Sequence, residues 1–160
     1  MTLRVRIQTD TTAALRSGDT LRRDTLRMVS NAAYSIEKRE GHPLTDDELI
    51  AVLVREVKTR RESIDAFHKG GREDLVQKEA AEVAILQDYL PQALSDEELA
   101  ALVAEGIAET GASSARDLGK VMAWLSPRTR GRADGKVVSG LVAQRLAAAD
   151  LGAHDRSGGH

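Results

Sequence analysis

A chain of 160 residues with 25 acidic and 23 basic side chains and no cysteine excludes several classes of protein. Disulfides, thiolate nucleophiles and cysteine-ligated metals are ruled out, and a net charge of −2 gives no general attraction to nucleic acid or anionic lipid. With one tryptophan, one phenylalanine and two tyrosines, any core must consist of leucine, valine, isoleucine and alanine, which suits helix packing.

The sequence shows neither a secretory leader nor a membrane-spanning segment. The first ten residues, MTLRVRIQTD, have no apolar core of the kind a signal peptide needs, and the apolar run at 49–54 is far too short to cross a bilayer. We therefore expect a cytoplasmic protein without membrane association.

Apolar residues at helical spacing predict four helices in the first half of the chain. Asp19 is expected to cap the second helix. Thr45 and Glu48 fit a capping box that opens the third, because each side chain can bind a backbone N–H of the other residue. The predicted breaks fall at 17–18, 41–43, 70–71 and Pro91.

Three further helices are predicted in the second half. Ser95 and Glu98 fit a second capping box, and the turn at 111–114 ends the fifth helix and caps the sixth. Proline lacks a backbone N–H, so Ser126 and Pro127 are expected to end the sixth helix, and Asp134 to cap the seventh.

No segment alternates apolar and polar residues with the period of a β-strand. The sequence therefore predicts an all-α protein of two helical bundles, a four-helix unit at 1–92 and a three-helix unit at 95–148. Residues 149–160 are polar and rich in glycine, and they are expected to form a disordered tail.

Basic side chains are concentrated near the second of these predicted units. Residues 111–150 contain seven basic and three acidic side chains, whereas 95–110 contain five acidic and no basic ones. We treat as candidate RNA-binding residues a basic cluster that consists of Lys120, Arg128, Arg130, Arg132 and Lys136. The alternative is that these cations form only a solvated turn, as charge runs usually do.

Motifs spaced along most of the chain carry a family resemblance. They are YLP at 89–91, SDEEL at 95–99, GASS at 111–114, GKVM at 119–122, Pro127, GRAD at 131–134 and LV at 141–142. This set resembles the GatB/YqeY family, and LRM at 26–28 is similar to the free-standing YqeY-like members. Trp124 departs from the family pattern, where a small residue is more common.

The resemblance implies a carboxy-terminal module similar to the tail domain of the B subunit of the tRNA-dependent amidotransferase. That enzyme is a carbon–nitrogen ligase with glutamine as amide donor, and its tail helps to hold the tRNA. The resemblance therefore implies tRNA as a partner, with a tRNA-handling enzyme or another protein as further candidates. The sequence does not determine the oligomeric state.

The residues give little support for catalysis. The four histidines lack the paired spacing of a helical metal site; they are His42, His68, His154 and His160. Ser113 and Ser114 have no lysine beside them and are more simply helix caps, and no P-loop is present. The sequence thus predicts no catalytic residue, no metal ligand and no cofactor, and it favours an accessory module over an enzyme acting alone.

Two functions from different classes remain, and a third has weaker support. The first is a non-catalytic module that grips the tRNA backbone through its basic cluster. The second is a protein–protein adaptor that uses helical faces or the acidic segment 95–110 and binds no RNA. The third is an amidotransferase-like activity that exists only within a larger assembly.

Overall fold

The computed structural model describes residues 1–157, with side chains up to Leu151. Within this part of the chain all regular structure is helical, so the all-α prediction is confirmed. The elements are α1 (Leu3–Ser17), α2 (Thr20–Glu40), α3 (Asp46–Lys69), α4 (Glu73–Gln87), α5 (Asp96–Thr110), a 3₁₀ turn (Ala115–Asp117), α6 (Leu118–Thr129) and α7 (Gly135–Ser157).

Most of the predicted amino-terminal caps are present in the structure, but the turn at 111–114 leads into the 3₁₀ turn and does not cap the sixth helix, which begins at Leu118. Asp19 accepts a hydrogen bond from the backbone N–H of Arg22, and Thr45 and Glu48 form the complete capping box. At α5 only half of the predicted box forms: Ser95 Oγ accepts from the backbone N–H of Glu98 at 3.1 Å. The Glu98 carboxylate instead lies 4.0 Å from Nη2 of Arg132.

The predicted end of the sixth helix at Ser126 and Pro127 is wrong, since α6 continues to Thr129. Proline removes one backbone donor, which is a small loss within the last turn of a helix. Two bonds beyond the proline keep that turn closed: Thr129 Oγ1 donates to the carbonyl of Leu125, and the backbone N–H of Arg130 donates to the carbonyl of Ser126.

Two other helix ends also differ from the sequence prediction. Helix α4 ends at Gln87, before Pro91, and α7 continues to Ser157, so it covers part of the segment 149–160 that was expected to be disordered. The last three residues of that predicted tail, 158–160, lie outside the described residues.

The chain divides into two compact units, an amino-terminal unit (Met1–Pro91) and a carboxy-terminal unit (Gln92–His160). The amino-terminal unit comprises α1 to α4, and its core is aliphatic except for one aromatic side chain, Tyr89, which is 4% exposed. The buried apolar residues that form this core cluster are Ile7, Leu26, Val29, Ala33, Leu49, Val52, Leu53, Val57, Val83, Ile85, Leu86 and Tyr89. The sequence did not predict a buried tyrosine.

The carboxy-terminal unit contains α5, the 3₁₀ turn, α6 and α7 around a smaller aliphatic core. The buried apolar residues of that core are Leu99, Val103, Val121, Leu125, Val138, Val142 and Leu146. Trp124 is half-buried at the edge of this core. The buried stripe of α6 fixes which residues of that helix face solvent.

Candidate nucleic-acid interface

Helix α6 places two cations and the tryptophan on one side. Lys120, Trp124 and Arg128 are four residues apart, so they follow one another along the helix, and Lys120 and Arg128 are about 12 Å apart along its axis. Val121 and Leu125, on the neighbouring side of the helix, are fully buried in the core of the carboxy-terminal unit. Burial of those two residues leaves the side chains of Lys120 and Arg128 exposed.

Arg128 lies on the helix rather than in the loop that the sequence predicted, because α6 extends past Pro127. Its guanidinium carbon sits 3.7 Å from the centre of the Trp124 ring, within cation–π distance. Its Nη1 also donates to the backbone carbonyl of Trp124 at 2.5 Å. Two contacts with one residue therefore hold this side chain against the helix.

Trp124 is in turn held against α5 at a glycine. A Cβ atom built on Gly106 would lie 2.9 Å from Cε3 and 3.2 Å from Cζ3 of the tryptophan ring. Real side chains do not approach so closely, so only glycine allows the ring this position. The Trp124 ring therefore contacts the backbone of α5 as well as the guanidinium of Arg128.

Arg132 differs from the other members of the basic cluster. Its Nε donates to the backbone carbonyl of Gln92 at 2.9 Å, and its own carbonyl accepts from the N–H of Leu94 at 2.9 Å. It is half-buried, so it links the turn after α6 to the segment before α5. The remaining members are exposed: Lys120, Arg128, Arg130 and Lys136.

Two acidic residues close in sequence to these cations, Asp117 and Asp134, both bind backbone groups. Asp117 accepts from the N–H groups of Ser113 and Ser114 at 2.8 and 3.3 Å, and these bonds lower the pKa of its carboxyl group. Asp134 Oδ1 accepts from the N–H of Lys136 at 2.8 Å, which agrees with its predicted role as the cap of the seventh helix. Both carboxylates therefore cap helical turns within the basic region.

Sequence reasoning missed one group of potential metal ligands in the turn between α2 and α3. Glu40, His42 and Glu48 each bring one ligand atom within 4.8 Å of the others. Glu48 already accepts from the N–H and hydroxyl of Thr45 in the capping box. The backbone carbonyl of Pro43 beside the ring, followed by the nearby glutamates, raises the pKa of His42. Glu40 and His42 are exposed and Glu48 is half-buried, and we assign no ion to these groups.

The fold and the charged side chains together define a class of protein. It is an all-helical protein whose carboxy-terminal unit carries exposed cations, Lys120 and Arg128, along one helix. Among the described helices none is both long and apolar enough to span a membrane. The model of the YqeY-like protein family matches residues 4–146. The chain therefore belongs to the YqeY-like family, as the motifs in its sequence indicated.

Curated relatives support the same assignment. A protein of Pyrenophora tritici-repentis named altered inheritance of mitochondria protein 41, mitochondrial, is 30% identical over 128 residues, covering 77% of this chain and 71% of that protein. The protein of the same name from Eremothecium gossypii is 39% identical over 100 residues, 59% of this chain and 54% of its own length. The one from Lachancea thermotolerans is 25% identical over 147 residues, 88% of this chain and 79% of its own length.

The names of these relatives describe mitochondrial proteins, which contradicts the cytoplasmic location that the sequence predicted. The prediction was wrong because it considered only secretory and membrane-spanning signals. Cellular addresses are read by receptors from short segments, and the composition of a folded helical domain does not encode them.

Proposed function

We propose that the protein is a non-catalytic accessory module that binds tRNA through the RNA backbone. The observation that supports the proposal is the set of exposed cations on α6 (Lys120 and Arg128) and on the first turn of α7 (Lys136), close in sequence to acidic residues that serve as helix caps. Phosphate groups are the natural ligands of such a surface, since Lys and Arg that neutralise them release condensed counterions.

Recognition by backbone and shape fits this surface better than recognition by bases. Readout of unpaired bases depends on aromatic faces that accept a stacked base. The carboxy-terminal unit has a single aromatic side chain, Trp124, and one face of its ring is already covered by Arg128. We therefore expect similar affinity for many tRNAs, because phosphate contacts position an RNA without reading its sequence.

A protein–protein adaptor is the second candidate, and the start of α5 favours it. The first turn of this helix carries three exposed or partly exposed carboxylates, Asp96, Glu97 and Glu98. An acidic helix terminus of this kind suits a partner with a basic segment. The two candidates differ in their response to salt and in the variants that abolish binding.

The test of the first candidate is the salt dependence of tRNA binding by the full chain, measured by fluorescence anisotropy. With three or four phosphates neutralised, log affinity should fall with log salt at a slope of about −2 to −4. A triple variant, Lys120→Gln, Arg128→Gln and Lys136→Gln, should flatten the slope by about two to three.

A matched control removes the same charge from the amino-terminal unit: Arg55→Gln, Lys58→Gln and Arg61→Gln, all exposed positions on α3. This control should keep the slope of the parent protein. The proposed function would be contradicted if tRNA binding by the parent protein did not depend on salt. It would also be contradicted if both triple variants lost tRNA affinity to the same extent. Binding of a protein partner that is lost on changing Asp96 and Glu97 would support the adaptor.

A further inference from the structure

We infer that Trp124 is a positioning residue that presents the guanidinium of Arg128 to a phosphate group of the bound RNA. The inference rests on the proposed function and adds a residue that charge alone does not reveal. The ring lies 3.7 Å below the guanidinium carbon, and the carbonyl of Trp124 accepts from Nη1. Both contacts come from the residue one helical turn earlier.

The contacts of Arg128 with Trp124 leave two of its nitrogen donors available to bind a phosphate. Within the described part of the chain Nη1 makes the only hydrogen bond of this side chain, so Nε and Nη2 make none. A guanidinium edge with two adjacent donors can bind two oxygens of one phosphate group. Stacking on the indole uses the face of the guanidinium and leaves its edges available.

Holding the side chain in advance strengthens binding because less rotamer freedom is lost on association. An exposed arginine normally samples many rotamers, since its side chain is long. Arg128 is instead confined to the surface of α6 before RNA arrives. Lys120, on the same side of the helix, is exposed and has no ring contact or hydrogen bond of this kind among the described residues, so we expect its contact with RNA to be the weaker one.

Trp124 can serve as a fixed support because its own position is set by α5. The ring edge at Cε3 and Cζ3 rests where a side chain at position 106 would be. Leu125, the next residue on α6, is fully buried and also lies against Gly106, at 3.3 Å from the Cβ position. The tryptophan therefore links a rigid backbone on one side to a cation on the other.

A double-mutant cycle on the full chain tests this inference, with the same tRNA and salt series as above. The cycle compares the parent protein with Trp124→Leu, Arg128→Gln and the double variant. We expect Trp124→Leu to weaken binding about two- to fivefold, the effect of losing an exposed cation–π contact. In the Arg128→Gln background the same change should have no further effect. Trp124→Phe should restore most of the lost affinity, because it keeps an aromatic face.

The outcomes separate this inference from the proposed function. Equal loss from Trp124→Leu in both backgrounds would show a purely structural role and overturn the inference, while salt-sensitive binding would still support the proposed function. No salt-sensitive binding by the parent protein would overturn both. If Trp124→Leu does not fold, Arg128→Lys tests the inference instead. Lysine keeps the positive charge but lacks the planar guanidinium that stacks on Trp124. We expect a two- to fivefold loss at an unchanged salt slope, and parent-like affinity would overturn the inference.

Discussion

Nε of Arg60 donates to Oε2 of Glu82 over 3.0 Å, and these two residues, on α3 and α4, are both buried in the amino-terminal unit. Nη1 of the same arginine also donates to Glu56 at 2.7 Å. Burial by itself lowers the pKa of Arg60, but the hydrogen bonds and charges of Glu56 and Glu82 outweigh it and raise that pKa. Arg60 therefore stays charged and neutralises the buried carboxylate of Glu82 on the neighbouring helix.

Replacement of Arg60 by methionine should lower the free energy of unfolding by about 3–5 kcal/mol. The reason is that Glu82 would stay buried without its cation. Urea unfolding followed by circular dichroism measures the effect, and Arg61→Met, at an exposed position on the same helix, is the control. A loss no larger for Arg60→Met than for Arg61→Met would show that the buried pair contributes little.

A second change, Glu82→Leu, should partly restore the free energy of unfolding that Arg60→Met removes. Replacing both buried charges with apolar side chains of similar size removes the unpaired carboxylate. Loss of the arginine should cost less at Glu56, because the side chain of Glu56 is 22% exposed and its carboxylate can turn toward water. A double variant as unstable as Arg60→Met alone would mean that packing, and not charge, causes the loss.

Two glycines in helices of the carboxy-terminal unit should respond to alanine in opposite directions. Gly106→Ala should destabilise by about 1–3 kcal/mol, because its Cβ would meet Trp124 at 2.9 Å. Gly140→Ala should stabilise by about 0.5–1 kcal/mol, because nothing lies within 4 Å and alanine favours the helix. Urea unfolding of both variants tests this, and a stabilising Gly106→Ala would show that the indole moves away easily.

Arg132 and Lys136 should differ in their contribution to stability, although both belong to the basic cluster. Arg132→Gln should cost about 1 kcal/mol, since it removes a charged donor from the carbonyl of Gln92. Lys136→Gln should change stability by less than about 0.5 kcal/mol, because its side chain is exposed. Trp124 fluorescence in urea reports on this unit alone, since the chain has one tryptophan. Equal changes in stability for the two variants would show that the hydrogen bond from Arg132 to Gln92 contributes little.

The buried Tyr89 should make the amino-terminal unit sensitive to base. Burial, followed by the hydrogen bond from its hydroxyl to Asp10 at 2.5 Å, raises the pKa of Tyr89 from 10.0 to about 12. The raised pKa means that the folded state favours the neutral phenol. Stability from this group is therefore complete below pH 10.0 and is lost as pH rises toward about 12.

A Tyr34→Phe variant isolates this titration, because Tyr89 is then the sole tyrosine. Its tyrosinate absorbance should appear with a midpoint near 12 while the protein is folded. A second variant, Tyr89→Phe, should lose less stability than its parent between pH 10.0 and about 12. A midpoint close to 10.0 in the folded Tyr34→Phe protein would contradict a buried, hydrogen-bonded phenol.

The sequence alone predicted the helical class, most helix boundaries and the family. Those features depend on residues close together in the chain: a cap such as Thr45 binds a backbone group three residues away, and helical spacing repeats every few residues. The same local information located the cations of the candidate site. It misplaced Arg128 in a loop, because Pro127 suggested a helix end that other bonds in the last turn prevent.

Only the tertiary structure decided which of these charged side chains are available to a ligand. Arg132 is two residues from Arg130 in the basic cluster, yet its guanidinium binds a carbonyl 40 residues away. Arg60 is one of many interleaved charges on α3, yet it is buried with a carboxylate from α4. Trp124 rests on Gly106 of another helix. Such contacts join residues that are distant in sequence, so they depend on how the helices pack, which local propensity and charge pattern do not specify.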